Sequence, residues 1–310
     1  MKDVRANAAA VVPSVRLDAA SGAAKPGAHV IADYVALTKP RLNVLVVATS
    51  AAGYYLGSAH VDPAAMASAV AGTALVAGGA AVLNQVYERD TDALMRRTRL
   101  RPLPDRRVAA AEATIFGLLL SGAGLALLAA RANALAASLA LATLVIYLAV
   151  YTPIKRLTSL STLVGAVPGA LPPLIGWTAS SGRISAGGLA LFAIVFLWQV
   201  PHFMAIAWLY RDDYRQAGFP MLPVVEPDGR RTGRHAVLFA IALVPATLVP
   251  TWVGVSGIGY AALALVLGAA LVSLAVRFAI ARTDAAARAL FFASIAYLPL
   301  VWIAMIVDRA

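Results

Sequence analysis

Long apolar runs alternate with short polar ones along nearly the whole chain. Apolar runs of about 17–25 residues are long enough to cross a bilayer as helices. Nine are marked out: Leu42–Ser58, Ala65–Tyr87, Ala109–Ala130, Ala134–Tyr151, Leu160–Ser180, Ala186–Tyr210, Ala236–Val255, Ile258–Ile280 and Ala289–Val307. Pro153, Lys155 and Arg156 split the fourth run from the fifth, and Arg282, Asp284 and Arg288 split the eighth from the ninth. Gly and Pro within the runs do not argue against helices, because packed neighbours re-satisfy the backbone in a bundle. The pattern predicts an all-α fold, a polytopic membrane bundle of nine transmembrane helices forming one domain over residues 31–310. The stretch 1–30, rich in Ala with scattered charges, Pro and Gly, is expected to be a disordered tail. Its apolar part is too short and too weak for a secretory signal.

Composition supports that pattern. Of 310 residues, 61% are hydrophobic and 13% charged, against about 25% charged in an ordinary soluble domain. The net charge of +11 has a topological reading. With the N-terminus inside, all 26 lysines and arginines except Arg131, Arg183 and Arg309 fall on the inner side, as the positive-inside rule requires. The N-terminus is therefore expected to be cytoplasmic. The positive charge suits anionic lipid, and no nucleic-acid partner is expected. Absence of cysteine excludes thiol catalysis, disulfides and thiolate metal sites. No P-loop, HExxH or GxSxG pattern is present.

The polar residues that carry chemistry gather in and beside the inner loops. Asn84, Glu88 and Asp92 follow at four-residue steps, each about 40° past a full helical turn, so one helix face carries all three. Their oxygens suit a hard cation such as Mg²⁺, which takes one or two carboxylates plus substrate phosphate oxygens. Asp90 points elsewhere and is expected to pair with Arg89 or Arg97. Arg96, Arg97, Arg99, Arg101, Arg106 and Arg107 follow. They anchor the loop inside, and guanidinium forks also grip phosphate. Tyr147, Tyr151, Lys155 and Arg156 close the fourth run. Their rings suit a carbocation and their cations a leaving anion, although Pro153 is expected to interrupt the helix. His202 sits inside the sixth run, where an ionisable group is a functional candidate. On one continuous helix His202 and Asp213 would lie within about 20° of each other, so Asp213 is favoured over Asp212 as the inward acid.

The run from Asn84 to Thr98 followed by Arg101-Pro102-Leu103-Pro104 resembles the first signature of the UbiA-type intramembrane prenyltransferases. That signature reads Asn-Asp-x-x-Asp-x-x-x-Asp; here Gln85 and Glu88 stand at the first two acidic places, a form associated with the haem-farnesylating branch. Tyr151–Arg156, Gly169–Trp177, Trp198–Phe203 and Asp213–Pro223 also match that branch, and the likeness runs from about Thr38 to the C-terminus. The resemblance implies transfer of a farnesyl group from farnesyl diphosphate to a vinyl group of haem b in a bacterial inner membrane, with the site facing the cytoplasm. It implies Mg²⁺ on Asn84, Glu88, Asp92 and Asp213. It further implies diphosphate on Arg96, Arg97, Arg101, Lys155 and Arg156, cation stabilisation by Tyr151, and haem contact at His202. A haem A synthase or an oxidase assembly factor is the partner such an enzyme would serve. The second family signature carries acids at Asp-x-x-x-Asp spacing; here Leu209 stands four places before Asp213, so one metal or two remains open. Rival readings are a prenyltransferase of quinone-precursor rings and an anion transporter. Charges crowded at one face disfavour the transporter, whose sites lie at the bilayer midplane.

Overall fold

The structure, a computed structural model, describes residues 28–310. The tail expected over 1–30 lies outside the described residues as far as residue 27, and its last three residues open a helix. The order is α1 (Ala28–Leu37), α2 (Pro40–Gly57), α3 (Pro63–Asp92), α4 (Ala110–Arg131) and α5 (Ala134–Val145). A π-helical turn (Ile146–Tyr151) joins α5 to α6 (Thr152–Ile154). Then come α7 (Ser161–Ser181), α8 (Ala186–Leu209), the short α9 (Arg211–Gln216) and α10 (Leu222–Val225), and finally α11 (Arg230–Trp252), α12 (Ile258–Ala281) and α13 (Asp284–Val307). Among the described residues there is no strand, only an isolated bridge between Ser256 and Arg309.

Seven helical segments are long and apolar enough to cross a membrane: α3, α4, the continuous α5–α6, α8, α11, α12 and α13. The protein is a polytopic membrane bundle. The helices α2 and α7 fall short by composition, one carrying Arg41 and Asn43 near its start, the other three internal prolines. These two pack closely on each other at glycines. A Cβ on Gly53 would lie 2.0 Å from the Pro173 carbonyl oxygen, and one on Gly176 would lie 1.9 Å from that of Ser50. Small residues let backbones approach in this way where hydrophobic drive between helices is weak.

Several helices extend beyond their apolar runs into polar sequence. α11 begins at Arg230 rather than near Ala236, since Asp228 and Glu226 accept from the N–H groups of Arg230 and Arg231 at 3.1 and 2.9 Å, satisfying free donors at a helix start. α13 begins at Asp284, and Thr283 accepts from the Ala286 N–H. α3 runs five residues past Tyr87 to Asp92, which carries the acidic face into the protein. α1 was not foreseen. It is tied down by Arg107–Asp33 at 2.5 Å, by Tyr34 donating to Glu112 at 3.2 Å, and by Gln85 donating to the Leu37 carbonyl at 2.6 Å.

Candidate active site

Asn84, Glu88 and Asp92 share one face of α3, and all three are at most 4% exposed. Two buried carboxylates are tolerated only if paired, and both are. Lys155 Nζ lies 3.0 Å from Glu88 Oε1, and Arg101 Nη1 lies 2.8 Å from Asp92 Oδ2. Arg101 reaches back because the loop after α3 folds on itself in successive turns. Thr98 donates its hydroxyl to the Asp92 carbonyl at 2.7 Å, and the Arg101 N–H donates to the Thr98 carbonyl at 2.9 Å. Asp90 points out and pairs with Arg89 at 3.0 Å. Gln85, at the departure from the family signature, faces α1 rather than the acids.

Asn84 donates its amide to Thr152 Oγ1 at 3.1 Å. Thr152 sits there because of Pro153. The expected interruption at Pro153 does not occur: helical structure continues to Ile154. A proline lacks an N–H and clashes with the carbonyl four residues back. The chain absorbs this by widening into a π turn, in which the Thr152 N–H donates to the Tyr147 carbonyl. The turn stacks Tyr147 on Tyr151, 5.4 Å between centroids. It also aims Lys155 at Glu88.

A second layer comes from the segment after α8. Tyr210 ends that helix (φ −111, ψ 22), so His202 and Asp213 do not lie on one continuous helix as expected. α9 restarts at Arg211. Asp212 is exposed and paired with Arg215 at 2.6 Å, leaving half-buried Asp213 as the inner acid of the two. Met95 from the α3–α4 loop packs with Tyr214, Phe219 and Met221 into a small apolar cap. Arg97 lies over the rings of Tyr210 and Tyr214, at 5.3 and 5.0 Å. Lys155 lies 4.5 Å from the Phe219 ring centre and 6.0 Å from that of Tyr151.

Other candidates stand apart. Arg96 is exposed. Arg156 is exposed, bonds Thr91 Oγ1 at 3.1 Å and lies over Tyr87, on the flank of the acidic sector. A cavity of about 440 Å³ lined by Arg89, Asp90, Leu103 and Arg106 opens on the far face of the α3 end. Among the described residues no three His, Asp or Glu side chains stand together as a metal cluster; the oxygen set on α3 counts two carboxylates and an amide. His202 is stacked between Trp198 and Phe291, each 5.1 Å away. Its Nδ1 lies 2.8 Å from Ser294 Oγ. Ser294 gives its own proton to the Phe291 carbonyl at 2.7 Å. It therefore accepts from Nδ1–H, which leaves Nε2 as a bare lone pair.

Two further residues of the site were not legible as such. Thr152 is one. Lys39, half-buried in a left-handed conformation (φ 50) between α1 and α2, is the other. Burial, with Arg101 nearby, pushes its ammonium down to about 8, against the pull of Glu88 and Asp92. Burial would also lower Lys155, but Tyr151, Glu88 and Tyr214 outweigh it and hold that lysine above the usual range. The site thus gathers three cations around two carboxylates.

The sequence pattern of the UbiA prenyltransferase family matches residues 45–296. The chain belongs to that family. As a UbiA prenyltransferase, it is similar to proteins named protoheme IX farnesyltransferase. With that of Solibacter usitatus it shares 45% identity, covering 89% of this chain and 98% of the other. With that of Opitutus terrae the identity is 47%, over 89% and 94%. The mitochondrial protoheme IX farnesyltransferase of Arabidopsis thaliana is 39% identical, over 91% and 66%. Among solved structures, digeranylgeranylglyceryl phosphate synthase superposes with a TM-score of 0.76 at 17% identity, over 90% and 98%. A UbiA homologue of Archaeoglobus fulgidus, bound to GPP and Mg²⁺, gives 0.60 at 16%, over 89% and 99%. These likenesses establish the fold.

Proposed function

We propose that this prenyltransferase moves the farnesyl group of farnesyl diphosphate onto a vinyl carbon of haem b, giving haem O and diphosphate. The observation that carries a diphosphate reading is the buried face Asn84–Glu88–Asp92 with its own counter-cations Lys155 and Arg101. Identity of 45–47% with protoheme IX farnesyltransferases supports haem as the acceptor.

The donor set fits Mg²⁺, being entirely oxygen with two carboxylates, and the archaeal neighbour binds that ion with a prenyl diphosphate. Asn84, Glu88 and Asp92 would hold it, and half-buried Asp213 on α9 is the acid proposed to assist them. When bound, Mg²⁺ offsets diphosphate charge and helps the group leave. The chain's own part is an exchange of partners. On substrate entry Lys155 and Arg101 turn from the carboxylates to the phosphate oxygens, joined by Lys39, with Arg97 nearby. Once seated on the phosphate, these cations stabilise the charge that develops on the leaving oxygen. As the C1–O bond breaks, positive charge grows on the allylic carbon beside the ring of Tyr151. The vinyl π electrons form the new C–C bond. Water then adds to the carbon next to the porphyrin and loses a proton, leaving the hydroxyl. Met95, Tyr214 and Phe219 limit bulk water at the mouth. His202, with Nε2 bare, is suited to an axial bond to haem iron. Arg96 and Arg156 serve at the rim, meeting diphosphate before it reaches the inner cations.

With α2 and α7 counted as spans the chain makes nine crossings, and the loop charges support an N-terminus in the cytoplasm and a site open to it. The match to bacterial relatives supports an inner-membrane location. Purified protein given haem b, farnesyl diphosphate and Mg²⁺ should yield haem O by chromatography and mass. Release of diphosphate with an unchanged haem mass would overturn the acceptor assignment.

A further inference from the structure

Asn84 poses a question of polarity. Its side chain ends in an oxygen and an NH₂ of almost the same shape, and only the oxygen can serve a cation. Something must decide which end faces the acids. A lone amide among polar neighbours would sample both orientations.

Thr152 makes that decision. Its hydroxyl has a single proton, and the Tyr147 carbonyl, 2.7 Å away, takes it. A carbonyl cannot donate, so the direction of this bond is fixed. Thr152 Oγ1 is then left only with lone pairs for its other neighbour, Asn84 at 3.1 Å. The amide must present its NH₂ to Thr152, and its oxygen is turned away. Both residues are buried, at 0–2% exposure, so water does not scramble the arrangement. The Tyr147 carbonyl is available because the π turn widens the ladder before Pro153. The chain of dependence runs from Pro153 to the turn, to the Tyr147 carbonyl, to the Thr152 proton, and so to the Asn84 oxygen.

We propose that Thr152 is a positioning residue for metal binding, which fixes the Asn84 amide with its oxygen toward Glu88 and Asp92. This rests on the reading of that face as a metal–diphosphate site. A purely structural role for the hydroxyl, closing the π turn, is separable. The Tyr147 carbonyl also receives the Thr152 backbone N–H, so the turn keeps a bond without the hydroxyl.

The test uses full-length protein in lipid nanodiscs with inorganic diphosphate, titrated with Mn²⁺ and followed by electron paramagnetic resonance. Thr152→Val keeps the shape and removes the acceptor. Its Mn²⁺ dissociation constant should rise about 10- to 100-fold, the usual effect of losing a residue that orients a metal ligand. Thr152→Ser should recover most of that loss, while the thermal midpoints of the folded variants stay together. If valine does not fold, Thr152→Cys replaces it, with an intermediate loss expected from its weak acceptor. A folded Thr152→Val with wild-type Mn²⁺ affinity would overturn the proposal, as would a serine variant no better than valine. Wild-type protein that binds no Mn²⁺ would overturn the metal reading itself. The haem product assay, run separately, reports on the acceptor.

Discussion

Glu88 and Lys155 show best what a buried pair costs when half of it is lost. Removing one partner leaves an uncompensated charge, worth about 3–5 kcal/mol. Glu88→Gln should therefore lower the thermal midpoint as well as abolish turnover. The double variant Glu88→Gln with Lys155→Met should regain stability and remain inactive, as read by detergent-phase unfolding and product mass. Recovery of activity in the double variant would mean that the pair is scaffold rather than site. Lys39 gives a second expectation, with a definite sign. Its ammonium is charged below about 8 and neutral above, so direct binding of the non-hydrolysable farnesyl thiodiphosphate should weaken between pH 7 and 9. Lys39→Arg should flatten that dependence. At this scale the sequence was legible where spacing alone decides: Asn84, Glu88 and Asp92 share a face whatever else the fold does. Lys39 and Thr152 were not, because their partners lie far away in the chain, 68 residues in the case of Asn84 and Thr152.

Among the elements, apolar length located the long helices and missed their ends. Apolar runs stop where polar side chains begin, but helical hydrogen bonds stop where caps are found. α3, α11 and α13 continue into charge because Arg89, Asp228, Glu226 and Thr283 accommodate their ends. Pro153 misled for a related reason: proline forbids one bond of the α ladder, and a π turn avoids that bond without ending the helix. The crossing of α2 on α7 is the tightest test of packing. The Cβ of Gly176→Ala would meet the Ser50 carbonyl of an unyielding backbone. Overpacking of this kind typically costs about 1–3 kcal/mol, and the variant should show a lower melting midpoint and faster trypsin cleavage. An unchanged midpoint would mean that α2 and α7 shift apart freely.

The whole molecule joins its two halves at one end. The α3–α4 loop supplies Arg97 and Met95, and the segment after α8 supplies Tyr210, Tyr214 and Phe219. Lys155, just after α6, joins them through its ion pair with Glu88 and its contact with the Phe219 ring. Asn133 donating to Thr178 at 2.7 Å and Arg309 donating to Ser58 bind the opposite end. A chain without cysteine is a clean background for mapping sides. Ser159→Cys and Ser181→Cys lie at opposite ends of α7. With the N-terminus in the cytoplasm, an impermeant maleimide should label Ser181→Cys in intact cells and spare Ser159→Cys until the membrane is broken. The reverse pattern would invert the topology.

The Glu88–Lys155 pair also has a consequence for how the protein is made. Its partners are separated by 67 residues, so Glu88 leaves the ribosome long before its counter-ion. Asp92 is different, since Arg101 follows in the same loop, nine residues on. The end of α3 is therefore expected to stay at the lipid headgroups, half-neutralised, until the hairpin carrying Lys155 is inserted. On that expectation the acidic face is drawn inward only after Lys155 arrives, which sets an order of events in biogenesis.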